Sequence, residues 1–340
     1  MILTPQAVAQ AVAATGFGAE PLEKVFRLVA LLDALDSHPF LATRFALKGG
    51  TALNLFHFDV PRLSVDIDLN YVGAADRDTM LAERPKFERA VQAVCSREGL
   101  AVKRAPSDHA GGKWRLAYVG VEGDAGSLEL DVNFLLRTPL WPCVMKECRA
   151  VGSVRGAPIR VLDLHELTAG KLAALLARRA SRDVFDAHAL LATPGLDAAK
   201  LRLGFVVYGG ISRKDWRTVS PSDVAAETNE VRTQLLPLLR ADRAPTRREV
   251  AAWTGKLVAE TRERLSLVLP LEGRELEFLR RLNDEGEIVP DLLTADPAMQ
   301  ATVREHPGLE WKALNVRRHR GLDGSAGPDE PPPEGSSSVP

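Results

Sequence analysis

Cysteine is scarce in this chain. Three residues in 340, Cys95, Cys143 and Cys148, stand at no paired or metal-type spacing, and the Cys-x4-Cys of the last two is too isolated to argue for zinc. A disulfide scaffold is excluded and a reducing cytosol fits. Long apolar runs are also missing: none approaches the roughly 20 residues of a membrane span, and Met-Ile-Leu-Thr-Pro is not a signal peptide. A protein that stays in the cytoplasm, with no membrane partner, is expected. Net charge is lacking as well, since 44 basic and 45 acidic residues leave −1. There is no global attraction to nucleic acid, and no recognised RNA-binding module, so any such contact must come from local patches. Two candidates are Arg178, Arg179 and Arg182 in ARRASR and Arg317, Arg318 and Arg320 in VRRHR. Each reads equally well as a solvated helix end.

What is present describes a folded protein with a substantial core, at 45% hydrophobic and 26% charged residues. The length allows one large or two medium domains. Residues 1–38 carry two amphipathic helical patterns. Thr4 before Pro5 marks a helix start and Gly16 a stop, while Leu22, Val25, Phe26, Val29, Leu32 and Leu35 recur at helical spacing. Residues 39–195 alternate strand and helix patterns. Residues 196–321 become largely helical, with Val250, Trp253, Leu257, Val258 and Leu265 on the apolar side of one long helix. The tail, 322–340, is expected to be disordered, because from Asp323 it cannot bury enough apolar area to order itself.

The most informative stretch is RFALKGGTALNLFHFDVPRLSVDIDLN, residues 44–70. It predicts a short strand (45–47), a Gly-Gly-Thr turn, a helix from about Ala52 to Phe58, a Pro-marked loop and a second strand (63–69). On that strand Val65, Ile67 and Leu69 face one way and Ser64, Asp66 and Asp68 the other. Two carboxylates about 7 Å apart at Cα suit a divalent cation held between them, and oxygen ligands suit Mg²⁺. Gly49 and Gly50 permit close backbone approach, and amides at the start of the next helix can receive phosphate oxygens. Taken singly, each motif has a plain reading: a Gly-Gly-Thr is a tight turn with Thr51 as a cap, and an Asp-x-Asp a solvated strand edge.

Further on, Asp76 to Gly99 reads as a helix with Phe87, Val91 and Val94 inward, and Gly-rich turns at Gly111-Gly112 and at Gly123 to Gly126 break a run of strands. In SLELDVNFLLR, Leu128, Leu130, Val132 and Phe134 alternate with Glu129, Asp131 and Asn133, giving a second strand with acid on its hydrophilic face. Its plain reading is a charged sheet face near solvent. Residues 161–192 predict a helix from about His165 to Arg178 and another from Asp183, with Ser181 as N-cap. Lys171 lies among apolar neighbours, with its stem along the core and its ammonium emerging at a cleft.

The order Gly-Gly turn, helix, acidic strand resembles the core of DNA polymerase β-like nucleotidyltransferases. KGGTALNL followed by RLSVDIDL resembles more closely the AbiEii/AbiGii toxin family, with its MenT relatives, and the ending GEIVPDLLTADPAMQATVREHPGLEWKALNVRRHR extends the likeness. The resemblance implies an α+β fold, a mixed sheet flanked by helices, with a helical C-terminal domain. It implies Mg²⁺-dependent transfer from an NTP, with Asp66, Asp68 and Asp131 as catalytic metal ligands; Glu129 rivals Asp131, since spacing alone does not choose. Gly49, Gly50 and the Thr51 hydroxyl would hold phosphates, and Lys48 and Lys171 would supply positive charge. Ser64 would bind phosphate or a metal-bound water, or be a place where an added phosphate silences the protein. Lys171 in GKLAAL, followed by Arg182, Asp183 and Asp186, matches a further set of active-site positions, with Asp183 preferred to Asp186. The acceptor implied is RNA, the tRNA 3′ end, with transfer blocking aminoacylation and halting growth; the partner implied is an antitoxin. Transfer to a protein or small molecule, or a non-catalytic binding protein, are the rival readings.

Overall fold

The computed structural model describes residues 3–106 and 110–322, so the tail expected from Asp323 lies outside the described residues. The chain divides into two compact units whose segments interleave. One comprises the residues up to Arg137, Pro142–Leu162 and Val231–Val250; the other comprises Thr138–Trp141, Asp163–Glu230 and the residues from Ala251 onward.

The first unit opens with α1 (Pro5–Thr15), which Thr4 and Gly16 bracket by their own chemistry. Thr4 Oγ1 accepts from the Ala7 N–H at 3.2 Å, Pro5 takes a position where a missing N–H costs nothing, and Gly16 ends the helix at φ +73°. Helix α2 (Ala19–Asp36) buries Leu22, Val25, Phe26, Val29, Leu32 and Leu35, the side its periodicity predicts.

Seven strands form one mixed sheet: β1 (Phe45–Lys48), β2 (Asp66–Tyr71), β3 (Ala101–Arg104), β4 (Gly111–Val119), β5 (Ala125–Asn133), β6 (Val144–Lys146) and β7 (Ile159–Val161). Their order is β3-β4-β5-β2-β1-β7-β6. Strand β2 runs antiparallel to β1 and parallel to β5, which is antiparallel to β4.

Within residues 44–70 two local details differ from the sequence reading. Gly49-Gly50-Thr51 is not a turn ahead of a helix starting at Ala52 but the first turn of α3 (Gly49–Ala52), which continues as a π-helical turn, Leu53–His57. Gly49, at φ +70°, makes the whole change of direction in one residue, so helical geometry starts at once. Strand β2 begins at Asp66 rather than Leu63 and runs on to Tyr71. The preceding residues are engaged elsewhere: Leu63 N–H donates to Leu238 O at 2.8 Å, and Arg62 bridges to Leu239.

Asp76 caps α4 (Arg77–Arg97), which sets Phe87 against Tyr71 and Phe134 with ring centroids 5.6 and 5.7 Å away. Gly111 and Gly112 lie inside β4 rather than in a turn. A Cβ on Gly111 would collide with the Val132 carbonyl, so glycine here permits strand contact.

The second unit is helical: α5 (Leu164–Ala177), α6 (Ser181–Leu191), α7 (Ala198–Ile211), the short α8 (Thr228–Glu230), α9 (Val250–Arg264, from its second residue), α10 (Gly273–Arg280), α11 (Pro297–Arg304) and α12 (Pro307–His319). Asp163 caps α5. Ser181 is not the cap of α6 but its first helical residue, and its N–H is met instead by the Glu230 carboxylate at 2.8 Å. In α9, Leu257 is buried with Thr254 and Thr261, while Trp253 and Val258 are only partly covered. Thr261 tolerates burial because its hydroxyl donates to Leu257 O at 2.7 Å. No described helix is long and apolar enough to cross a membrane.

Glu166 of α5 is fully buried and accepts hydrogen bonds from Tyr208 Oη (2.8 Å) and Leu140 N–H (3.0 Å). Burial pushes its carboxyl up from 4.5 to about 7 against those bonds. The unfolded chain releases this proton first. Stability is therefore full below pH 4.5 and falls as pH rises toward 7, by a sum on the order of 3 kcal/mol. Glu166→Gln is expected to be more stable than the native chain at about pH 8, with a flatter denaturation midpoint across that window. Equal pH slopes for the two proteins would remove the assignment.

Candidate active site

Strand register assembles the acidic residues. Asp66-Ile67-Asp68-Leu69-Asn70 of β2 lies parallel to Glu129-Leu130-Asp131-Val132-Asn133 of β5, with Asp66 opposite Glu129, Asp68 opposite Asp131 and Asn70 opposite Asn133. Register partners project to the same side. One face therefore carries the polar pairs, while Ile67, Leu130, Leu69 and Val132 fill the core behind. Lys48 on β1 is opposite Asp68, and Lys113 on β4 is opposite Asp131. The row Lys48, Asp68, Asp131, Lys113 thus crosses four strands at about 4.8 Å per step. Asp131 is buried, and Asp66 and Asp68 are half-buried.

Gly49 follows this row directly. A Cβ there would overlap the Asp68 carboxylate at Oδ2, so backbone and carboxylate are in contact only because the residue is glycine. A Cβ on Gly50 would meet Ser64 Oγ at 2.8 Å and a guanidinium nitrogen of Arg62 at 2.9 Å. Ser64 is buried. Arg62 is 2% exposed and donates to Leu63 O at 2.8 Å. Thr51 requires a correction: its hydroxyl, expected to meet phosphate, is fully buried and donates to the Asp66 carbonyl at 2.5 Å. It ties α3 to β2.

Electrostatics separates Glu129 from Asp131. Burial would raise the Glu129 carboxyl, but the Lys113 hydrogen bond at 3.0 Å and the charges of Lys113 and Arg115, the latter at 3.7 Å, hold it below the usual range. Burial likewise works against the Lys113 ammonium, yet the bond to Glu129 and the fields of Glu129, Asp131 and Asp66 lift its pKa above the ordinary value. Glu129 is thus engaged outward, toward β4, and Asp131 is the carboxylate set beside Asp68. Among the described residues no three Asp, Glu, His or Cys side chains form a ready-made metal cage. The donor set of Asp66, Asp68 and Asp131 is all hard carboxylate oxygen. It fits Mg²⁺, which takes one or two carboxylates with waters and substrate phosphates.

A second charged cluster lies in the helical unit. Lys171 Nζ of α5 donates to Asp183 Oδ1 at 2.9 Å and pairs with Asp186 Oδ2 at 3.1 Å, and Arg178 Nε donates to Asp183 Oδ2 at 2.8 Å. Asp183 and Asp186, three apart on α6, share one helix side. The Lys171 ammonium does not emerge into a cleft as expected; at 9% exposure it is turned inward, where two carboxylates replace water. Burial would raise Asp183, but the Lys171 charge and the Arg178 bond hold it well below the carboxylate range. Arg182 is half-buried. The basic patches read from the sequence are partly spent within the fold: Arg178 on Asp183, Arg317 on Gly286 O (2.6 Å), and Arg320 on Asp284 Oδ1 (2.9 Å).

Three charged residues near the acidic row escaped the sequence reading: Arg62, Lys113 and Arg115. Lys113 and Arg115 alternate with the buried Trp114 and Leu116, a period-two signal. Arg62 lies ahead of β2, which starts at Asp66, so strand alternation carries no signal for it.

Comparison with known proteins gives the family and the fold. The family model described as nucleotidyl transferase AbiEii toxin, type IV toxin–antitoxin system, matches residues 30–312. Among solved structures, MenT4, a nucleotidyltransferase toxin from Mycobacterium tuberculosis H37Rv, shares the fold with a TM-score of 0.59 at 17% identity, over 93% of this chain and 99% of that one. No curated protein sequence matches. Because the family match takes in the glycine turn, both acidic strands and the lysine–aspartate helices, the chain is a member of the AbiEii family of nucleotidyltransferase toxins of type IV toxin–antitoxin systems.

Proposed function

We propose that this nucleotidyltransferase moves a nucleotidyl group from an NTP to the 3′ hydroxyl of an RNA, the tRNA acceptor end above all, using Mg²⁺ held by Asp66, Asp68 and Asp131. The observation that carries this reading is the Asp68–Asp131 register pair with the Gly49 backbone against one of its carboxylates. The bond formed joins the acceptor oxygen to the α-phosphorus; the bond broken releases pyrophosphate. When bound, the ion neutralises triphosphate charge and lowers the pKa of the attacking hydroxyl.

The protein's own groups do the positioning. First-turn amides of a helix have no intrahelical partner, so those of α3 would receive phosphate oxygens, and Gly49 and Gly50 let those oxygens reach the backbone. Arg62, buried beside Gly50 and Ser64, is a fixed positive charge behind that cradle. Lys48 offsets charge at Asp68, and preorganised cations are worth most where charge develops. On the family resemblance, Lys171 and Asp183 also serve the reaction, with Arg182 and Asp186 as nucleotide contacts. An antitoxin is the partner.

The test is incubation of the purified protein with each α-labelled NTP, Mg²⁺ and total RNA. Label in the tRNA band, abolished by chelation, is the expected result. Label in protein or in a small product would reassign the acceptor, and no label anywhere would remove the reading.

A further inference from the structure

The acidic row continues sideways into a basic one. On the same sheet face, beyond Asp131 and Glu129, β4 presents Lys113 opposite Asp131 and Arg115 opposite Glu129. Their side chains are 48% and 64% exposed. Next to β4 lies β3, the last strand on this side of the sheet. Between Val102 and Arg104 its register slips by one residue, which sets Arg104 opposite Arg115 instead of Lys103. The slip therefore adds a second exposed guanidinium to the face that Arg115 occupies. Glu129 neutralises one of these charges. It lies 3.0 Å from Lys113 and 3.7 Å from Arg115, so one carboxylate stands against three cations, with Arg104 exposed beside them.

We propose that Lys113, Arg115 and Arg104 form a track for the phosphates of the RNA acceptor, guiding its 3′ end onto the Asp68–Asp131 pair. This rests on the RNA-acceptor reading above. Position in the sheet distinguishes acceptor from nucleotide. The glycine turn is on the β1 side of the carboxylates and the basic track on the β4 and β3 side, so the two phosphate groups flank the centre without competing. Strands about 4.8 Å apart put Arg104 some 10 Å from Glu129 across the sheet, with Asp131 two residues further along β5, within reach of the last few nucleotides. A chain with net charge −1 attracts RNA only where cations are gathered, and here they are gathered beside the carboxylates.

The experiment is binding of a 5′-fluorescein single-stranded oligoribonucleotide to the full chain by anisotropy over a salt series. It compares the native protein with Arg104→Gln/Arg115→Gln and with the equally charged control Arg247→Gln/Arg248→Gln. Two lost phosphate contacts are expected to reduce the slope of log K against log salt by about 1.4 in the first variant and to leave the control unchanged. Affinity for a non-hydrolysable ATP analogue, measured by calorimetry, is expected to be native in both, as is the circular dichroism. A native slope in the first variant, an equal loss in the control, or a joint loss of ATP-analogue affinity would overturn the track while leaving the RNA reading standing. A native protein that binds no RNA would overturn both.

Discussion

Asp68→Asn is expected to lower nucleotide transfer by on the order of 10³-fold or more without lowering the thermal midpoint. The two halves of this result have one cause. Asp68 and Asp131 face each other across parallel strands, and like charges directly opposite are destabilising. A protein under pressure only to fold would gain from the amide; one that must hold a cation would not. Gly49→Ala should behave differently. The new methyl falls on the Asp68 carboxylate, at a φ of +70° that alanine resists, so stability drops together with activity. Transfer within tenfold of native in Asp68→Asn, measured with the labelled-NTP assay, would refute the assignment of the ion to this pair.

Lys171→Met is expected to destabilise the protein by about 3–5 kcal/mol in chemical denaturation. The ammonium serves two buried carboxylates at 2.9 and 3.1 Å, and its removal leaves Asp183 with Arg178 and deprives Asp186 of its lysine. The pH dependence follows. Asp183 has a folded pKa below 3.8, so its contribution is complete above that value and is lost as pH falls through the depressed one. Without Lys171 the depression shrinks, and acid unfolding should begin nearer neutrality. A triple variant, Lys171→Met/Asp183→Asn/Asp186→Leu, removes the buried cation together with both buried carboxylates, leaves only the solvent-exposed Arg178, and should recover most of the stability. If the cluster also serves the reaction, this refolded protein remains inactive. Full transfer by it would reduce the cluster to a structural ion pair.

These two sites were legible to different depths. Asp66 and Asp68 could be placed on one strand face from alternation alone, because a strand repeats every two residues whatever surrounds it. Thr4, Pro5 and Gly16 bounded α1 correctly because capping chemistry is local. Thr51 and Ser181 went the other way. Each looked free for a ligand or a cap, and each has a group claimed by a residue distant in sequence: the Thr51 hydroxyl by Asp66 O, the Ser181 N–H by Glu230. The apolar neighbours of Lys171 suggest a snorkelling side chain, because its partners lie on the next helix and helix-to-helix pairing is not written in periodicity.

By itself the sequence determined the faces of β2 and β5, the caps of α1, the glycine that reverses the chain after β1 and the family to which these belong, since all are properties of short segments. Only the tertiary structure decided which carboxylate stands beside Asp68, that Glu129 is drawn off by Lys113 and Arg115, and that a one-residue slip in β3 sets Arg104 beside Arg115. It also decided that the two units draw on interleaved stretches of chain. The reason is register: strand pairing is chosen by the whole sheet packing at once, and a shift of one residue turns every side chain to the opposite face.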